Sequence, residues 1–108
     1  MTCVFCQIID GQEPAEIVRV WDDALAIVPL APLTPGHVLV IPRIHVADAA
    51  VDPVITAITA RRAAQLLRPG HHLGLNTGAE AGQTVFHLHL HLWPCQGDQR
   101  CMPWGCPQ

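Results

Sequence analysis

Hydrophobic and polar residues alternate most regularly between Thr84 and Trp93, where the chain reads T-V-F-H-L-H-L-H-L-W. An alternation with a period of two is typical of a β-strand, in which successive side chains point to opposite faces of the sheet. The pattern therefore predicts a ten-residue strand with three imidazoles on one solvated face, those of His87, His89 and His91. Side chains on one face of a strand stand roughly 6.5 Å apart, so neighbouring imidazoles can share one anion or one metal ion.

The other hydrophobic segments predict two helices and four further strands. A short helix is expected over Cys3–Asp10. A longer helix is expected from Asp52 to Arg68, because Asp52 is a suitable cap and a proline follows it in the first turn. The strands are expected at Ile17–Trp21, Ala24–Val28, His37–Pro42 and Leu73–Asn76. The third of these is apolar on both faces, which suits the centre of a sheet that is covered on both sides.

Together these elements predict an α+β fold with a five-stranded, mostly antiparallel sheet, one main helix and a short N-terminal helix. We expect a single domain over residues 1–93 and an irregular tail, rich in cysteine, proline and glycine, over residues 94–108. Unpaired sheet edges in so small a domain invite association, so a homodimer is expected.

Composition and charge narrow the classes of partner. The chain has 108 residues, 50% of them hydrophobic, and a formal net charge of −3 with only six lysines and arginines. These few cations form no basic stripe of the kind that binds a nucleic acid polymer. No hydrophobic run is long enough to cross a bilayer and the N-terminus lacks the pattern of a secretory signal, so we expect no membrane partner and a cytoplasmic location.

The chain contains five cysteines, an odd number. Cys3 and Cys6 form a C-x-x-C motif, and Cys95, Cys101 and Cys106 fall in the tail. Without a secretory signal, metal binding or free thiols are favoured over a disulfide framework, although a bridge formed on oxidation stays open. For the three tail cysteines, exposed thiols are a commoner explanation than a second metal.

Three histidines on one strand face have two chemical explanations. In the first, a neutral imidazole attacks phosphorus, and a neighbouring histidine binds the phosphate oxygens or protonates the leaving group. His89, in the middle, is best placed for the attack. Gly82, Gln83 and Thr84 lie just before it and offer hydrogen-bond donors to a transferring phosphoryl group. In the second explanation, the three histidines bind a metal ion.

The segment A-E-A-G-Q-T-V-F-H-L-H-L-H-L-W from Ala79 resembles the signature of the histidine triad family of nucleotide hydrolases and transferases. The resemblance extends to C-V-F-C-Q-I-I-D-G-Q-E-P-A-E-I-V from Cys3, P-G-H-V-L-V-I-P-R-I-H from Pro35 and L-N-T-G from Leu75. It covers the chain from Cys3 to about Trp93. It implies a nucleotide substrate, a sheet that pairs across a two-fold axis, and a covalent nucleotidyl intermediate on His89.

The resemblance also implies roles for residues around the nucleophile. His91 is expected to act with His89 in catalysis and to contact the phosphate. Positions that line the phosphate and the leaving group match Asn76, Gln83 and Thr84. His37 is expected to be a structural support rather than a catalyst.

A structural zinc ion is implied by the resemblance to the bacterial-type, zinc-containing branch of this family. The residues that match its ligands are Cys3, Cys6, His45 and His87. Two cysteines and two histidines form a closed tetrahedral shell that leaves no position for a catalytic water. Zinc would therefore brace the strand rather than activate a nucleophile.

One position departs from the family pattern and keeps a second function open. The family usually places Asp or Asn eight residues before the histidine of P-G-H, where it holds the ribose hydroxyls, and this chain has Pro29 there. Losing such a hydrogen bond costs roughly 1.5 to 3 kcal/mol, or about tenfold to a hundredfold and somewhat more in affinity. The alternative to an enzyme is a catalytically weak nucleotide-binding or scaffold protein that retains the fold.

Overall fold

Five strands form one sheet in the computed structural model, which describes residues 3–95. In chain order the elements are α1 (Val4–Ile9), β1 (Ile17–Val20), β2 (Ala24–Ile27), β3 (Val38–Pro42), α2 (Pro53–Ala64), β4 (His71–Gly74), a 3₁₀ turn (Ala79–Ala81) and β5 (Leu90–Pro94). The strand order is β1-β2-β3-β5-β4, and each pairing in this sheet is antiparallel. The predicted α+β architecture is therefore confirmed.

β3 lies at the centre of the sheet, as its two apolar faces predict. On one face, the small residues of β2 and β3 pack in a cluster with α2 that includes Ala24, Ala26, Val40 and Ala63. The opposite face, which we call the α1 face, packs Leu25, Ile27, Leu39 and Ile41 against Phe5 and Ile8. His91 pairs with Leu39 across the sheet. Because directly paired residues share a face, this histidine belongs to the α1 face.

α2 begins where it was predicted and ends at Ala64 rather than Arg68. The carboxylate of Asp52 caps it by accepting hydrogen bonds from backbone N–H groups of the first turn. Beyond its end, the N–H of Leu66 donates to the carbonyl of Ala63, three residues back. Such bonds tighten the chain into 3₁₀-type turns, which is why the helix stops before the predicted boundary.

The predicted ten-residue strand is wrong in its first half, because β5 begins at Leu90 rather than Thr84. β3 and β5 pair as far as Val40 and Leu90, and in this register Pro42 would stand opposite Leu88, two positions beyond the last pair. Proline has no N–H to donate. Its carbonyl accepts a hydrogen bond from the side chain of His87 instead. The segment before Leu90 therefore stays outside the ladder.

β4 is also displaced from its prediction, at His71–Gly74 rather than Leu73–Asn76. Its register is set by β5, because Gly74 pairs with His91 and the ring of His72 stacks on Trp93 with centroids 5.2 Å apart. Cross-strand contacts of this kind depend on the partner strand rather than on the local sequence. Among residues 3–95, no helix is long and apolar enough to span a membrane.

The structure describes only Pro94 and Cys95 of the predicted tail. Pro94 ends β5, so regular structure continues past the expected boundary by this residue. Cys95 is disulfide-bonded, so neither the free-thiol nor the metal-ligand explanation holds for it. Cys101 and Cys106 lie outside the described residues.

Candidate active site and metal centre

The first histidine of the triad is buried. His87 is 0% exposed, so the prediction of a solvated face is wrong for this residue. The ring of Phe5 covers it edge-on, with centroids 5.8 Å apart. Nε2 of His87 donates to the carbonyl of Pro42 at 2.8 Å, which leaves a lone pair on Nδ1. Burial is the main cause that lowers the pKa of His87 to about 4, so the imidazole is neutral and suited to bind a metal ion.

The Nδ1 atom of His87 faces the other three predicted metal ligands. It lies 3.5 Å from Sγ of Cys3, 3.6 Å from Sγ of Cys6 and 3.1 Å from Nδ1 of His45. The four ligand atoms all lie within 4.8 Å of one another. Tetrahedral zinc with ordinary bond lengths spaces its ligand atoms roughly 3.3 to 3.8 Å apart. The structure thus brings the four predicted ligands into one cluster, and the three distances from Nδ1 of His87 lie close to the spacing of a tetrahedral zinc site.

The chemistry of these residues fits zinc as a structural cofactor. Two thiolates and two imidazoles are a common ligand set for structural zinc. The bond from Nε2 of His87 to the Pro42 carbonyl is the support that metal-binding imidazoles usually have. Burial raises the pKa of the Cys6 thiol, and a bound cation would offset that effect by stabilising the thiolate. Four protein ligands close the shell, so the metal would hold the local fold.

The middle histidine has the arrangement expected of a nucleophile. Nδ1 of His89 donates to the backbone carbonyl of His87 at 2.8 Å. The proton is therefore on Nδ1, and Nε2 carries the lone pair. Burial lowers the pKa of His89, which keeps the ring unprotonated near neutral pH. The residue is only 8% exposed, and it lines a cleft in the surface.

The third histidine is held by His37. The backbone N–H of Leu33 donates to Nδ1 of His37 at 3.0 Å, so the proton of His37 lies on Nε2. That nitrogen donates to Nδ1 of His91 at 3.1 Å, which places the proton of His91 on its Nε2. Burial lowers the pKa of both rings, that of His91 to about 4. His37 therefore fixes both the orientation and the tautomer of His91.

Gln83 uses its amide to hold the glycine-rich loop. The residue is 4% exposed, and its side-chain oxygen accepts a hydrogen bond from the N–H of Gly78 at 2.8 Å. Its nitrogen donates to the carbonyls of Ala47 and Val85, at 2.7 and 2.9 Å. These three bonds use the oxygen and both N–H groups of the amide. Gln83 thus shapes the loop before the triad, and it does not line the cleft.

Of the other predicted substrate-binding residues, two shape the glycine-rich loop and two line the cleft. The side chain of Asn76 donates to the carbonyl of Ala81 at 2.6 Å and so closes the loop on itself. Gly82 has a φ of 93°, a left-handed conformation that favours glycine at this turn. Thr84 and His91 both line the cleft. Within the predicted set, Asn76 and Gly82 thus shape the loop, and Thr84 and His91 lie in the cleft.

The cleft has a volume of about 710 Å³ and opens on the α1 face. Its lining includes the imidazoles of His37, His89 and His91, Pro29, and the apolar side chains of Phe5, Ile8, Ile27, Leu39 and Val85. A cavity of this size, apolar with a few polar groups, suits a small molecule of nucleotide size. This apolar lining was not predicted from the sequence. The alternation in β2 and β3 was the available signal, because it places Ile27 and Leu39 on one face.

Residues 10–97 match the model of the HIT domain family. The chain belongs to this family. An uncharacterised HIT-like protein of Mycobacterium tuberculosis is 42% identical over 105 residues, which cover 87% of this chain and 72% of the relative. The adenylylsulfatase HINT3 of Arabidopsis thaliana is 36% identical over 101 residues, which cover 85% of this chain and 51% of that protein.

Solved structures of HIT proteins have the same fold. A zinc-bound histidine triad protein from Mycobacterium smegmatis aligns with a TM-score of 0.82 at 33% identity, over 100% of this chain and 85% of its own. A HIT family hydrolase from Clostridium thermocellum aligns with a TM-score of 0.75 at 33% identity, over 89% of this chain and 92% of its own. The resemblance to the histidine triad family that the sequence motifs indicated is therefore confirmed.

Proposed function

We propose that this HIT protein is a hydrolase or nucleotidyltransferase that cleaves a nucleoside phosphoramidate, phosphoanhydride or related phosphorus bond. The observation that carries the proposal is the bond from Nδ1–H of His89 to the carbonyl of His87, which leaves Nε2 as a nucleophile in a nucleotide-sized cleft. The similarity to a relative that is an adenylylsulfatase supports chemistry on a nucleotide.

The proposed reaction has two steps through a covalent intermediate. First, Nε2 of His89 bonds to phosphorus while the bond to the leaving group breaks, and the leaving group departs with the electron pair. His91, with its proton on Nε2, donates to a phosphoryl oxygen as charge develops there. Water or another acceptor then attacks phosphorus, and the electron pair of the broken N–P bond returns to Nε2. The proton that the acceptor loses balances the one that the leaving group gains.

Zinc has no step in this reaction. When bound, it supplies a tetrahedral anchor that ties Cys3 and Cys6 of the N-terminal segment to His45 and His87. The residues that would act on the substrate are His89, His91 and Thr84, which line the cleft.

The proposal is tested by mass spectrometry of the protein after brief incubation with a nucleotide library. We expect an adduct of one nucleoside monophosphate, located on His89. H89G should form no adduct and should lose turnover by several orders of magnitude, because the nucleophile is gone. H72Q is the matched control, because His72 lies on β4, stacks on Trp93 and does not line the cleft. This variant should still form the adduct. Full activity of H89G would refute the proposal.

A second candidate function is a nucleotide-binding or scaffold protein with little catalysis. Pro29 favours it, because this residue lines the cleft and offers no side-chain group that could bind a ribose hydroxyl. Calorimetry with mononucleotides and turnover assays with phosphoramidates, anhydrides and adenylyl sulfate separate the two functions. Measurable binding together with very slow turnover of every substrate would favour the second.

The proposal includes a homodimer and a cytoplasmic location. In the described part of the chain, β1 and β4 are the two edges of the sheet, and each leaves backbone groups for a partner strand. Leu73 on β4 is 38% exposed and would be buried in an interface formed at that edge. Light scattering should give twice the chain mass of 11.7 kDa. A monomer at micromolar concentration would contradict this part.

A further inference from the structure

His87 connects the metal site to the proposed nucleophile through the backbone. Its Nδ1 faces the metal ligands, while its carbonyl accepts the Nδ1–H of His89 at 2.8 Å. This part of the chain lies outside the β-ladder. The position of the carbonyl therefore depends on how the His87 side chain is held and on the bond from the N–H of Leu88 to the carbonyl of Val46.

Phe5 makes a second connection between the same two histidines. Its ring contacts His87 at 5.8 Å and His89 at 5.2 Å between centroids, with interplanar angles of 81° and 80°. Edge-to-face aromatic contacts of this kind depend on orientation. Phe5 is only 7% exposed, so it has little room to move without displacing one of its two partners.

The position of Phe5 depends in turn on the metal ligands. α1 has six residues, too few to be stable alone, and it is buried through Phe5 and Ile8. Its N-cap is Cys3, whose sulfur accepts a hydrogen bond from the N–H of Cys6. Phe5 directly precedes Cys6 and lies two residues after Cys3. A metal ion that holds both sulfurs would therefore hold the ring as well.

We propose that Phe5 is a positioning residue that couples zinc binding to the orientation of the His89 imidazole. The proposal rests on the assignment of His89 as the nucleophile. The coupling means that bound zinc determines the direction in which the Nε2 lone pair of His89 points in the cleft. Because coupling between two sites is reciprocal, a ligand that contacts His89 should also strengthen zinc binding.

The first test uses nitrogen NMR of the histidine rings in zinc-loaded protein, with the zinc content of each sample measured. F5L removes the aromatic edge and keeps an apolar side chain. L25A is the matched control, because Leu25 belongs to the same buried cluster and does not line the cleft. Wild type and L25A should show His89 protonated at Nδ1, whereas F5L should show a mixture of the two tautomers. If His89 is protonated at Nδ1 alone in all three proteins, the proposal is overturned. F5M replaces F5L should the latter fail to fold.

The second test measures zinc affinity by competition with a chelator, with and without saturating AMP. In wild type and L25A, AMP should raise zinc affinity at least about fivefold, the lower end of typical coupling between sites. In F5L the increase should vanish. If calorimetry shows that AMP binds and zinc affinity does not change in wild type, the coupling is refuted and the proposed function stands. If no mononucleotide binds, the proposed function fails, and the NMR comparison still decides whether Phe5 orients the His89 imidazole.

Discussion

Replacing His37 with phenylalanine removes two hydrogen bonds and keeps a ring of similar size. The ring of His37 stacks on His91 with centroids 5.3 Å apart, a contact that phenylalanine can retain. The bonds lost are those from the N–H of Leu33 at 3.0 Å and to Nδ1 of His91 at 3.1 Å. At about 1 kcal/mol for each bond, H37F should lower the free energy of unfolding by about 2 kcal/mol. Leu33 is 45% exposed, so water can replace part of the bond lost at its N–H, and the bond lost at His91 sets a lower bound of about 1 kcal/mol.

The same change should affect catalysis more than substrate binding. Without the donor from His37, Nδ1 of His91 loses the hydrogen bond that assigns the proton to Nε2, and the Nε2–H is presented less precisely to the phosphoryl group. We expect kcat to fall on the order of a hundredfold, the typical cost of losing one such donor, with a small change in KM.

Urea denaturation and steady-state kinetics on the same samples measure the two effects of H37F. H37Q is the conservative control, because an amide can accept from one neighbour and donate to the other, and it should recover part of both losses. If H37F keeps the wild-type kcat and unfolding free energy, the role assigned to His37 is wrong.

Three further predictions concern the metal, the ribose and pH. C6S removes one of four zinc ligands, so zinc affinity should fall at least about a hundredfold and thermal stability should lose its sensitivity to chelators; elemental analysis and thermal scans check this. P29D places a carboxylate in the cleft and should tighten mononucleotide binding by about tenfold to a hundredfold, with no such gain for 2′,3′-dideoxynucleotides in calorimetry. The pKa of His91 is lowered to about 4 in the folded protein, below its ordinary value of 6.5, so the unfolded chain binds more protons between these values. Stability should therefore fall as pH drops from 6.5 to about 4, and urea titrations of H91Q should show a shallower slope in that range.

Much of the fold follows from local patterns, and the departures within the sheet have non-local causes. The centre of the sheet was predictable because the third strand is apolar on both faces. The start of α2 was predictable because Asp52 and Pro53 mark it. The first half of the last strand was not predictable from its alternation. Pro42, more than forty positions earlier in the chain, ends the ladder and accepts the His87 bond. β4 was misplaced for a similar reason, because β5 sets its register.

The candidate site was predictable as a set of residues and less so as an arrangement. The family motifs indicated the four metal ligands, and the structure brings them together. The sequence does not reveal that His87 is buried, since α1 covers it only in the folded chain. It also does not reveal that the amide of Gln83 bonds to the loop, because its partners come from residues 47, 78 and 85.

The end of the ladder at Leu90 has a consequence for engineering. Residues 84–86 precede the histidines and are not part of the strand pairing, so libraries at these positions can vary the rim of the cleft without shifting any strand register. Thr84 is exposed and lines the cleft, which makes it the first position to randomise in a search for variants that accept new leaving groups.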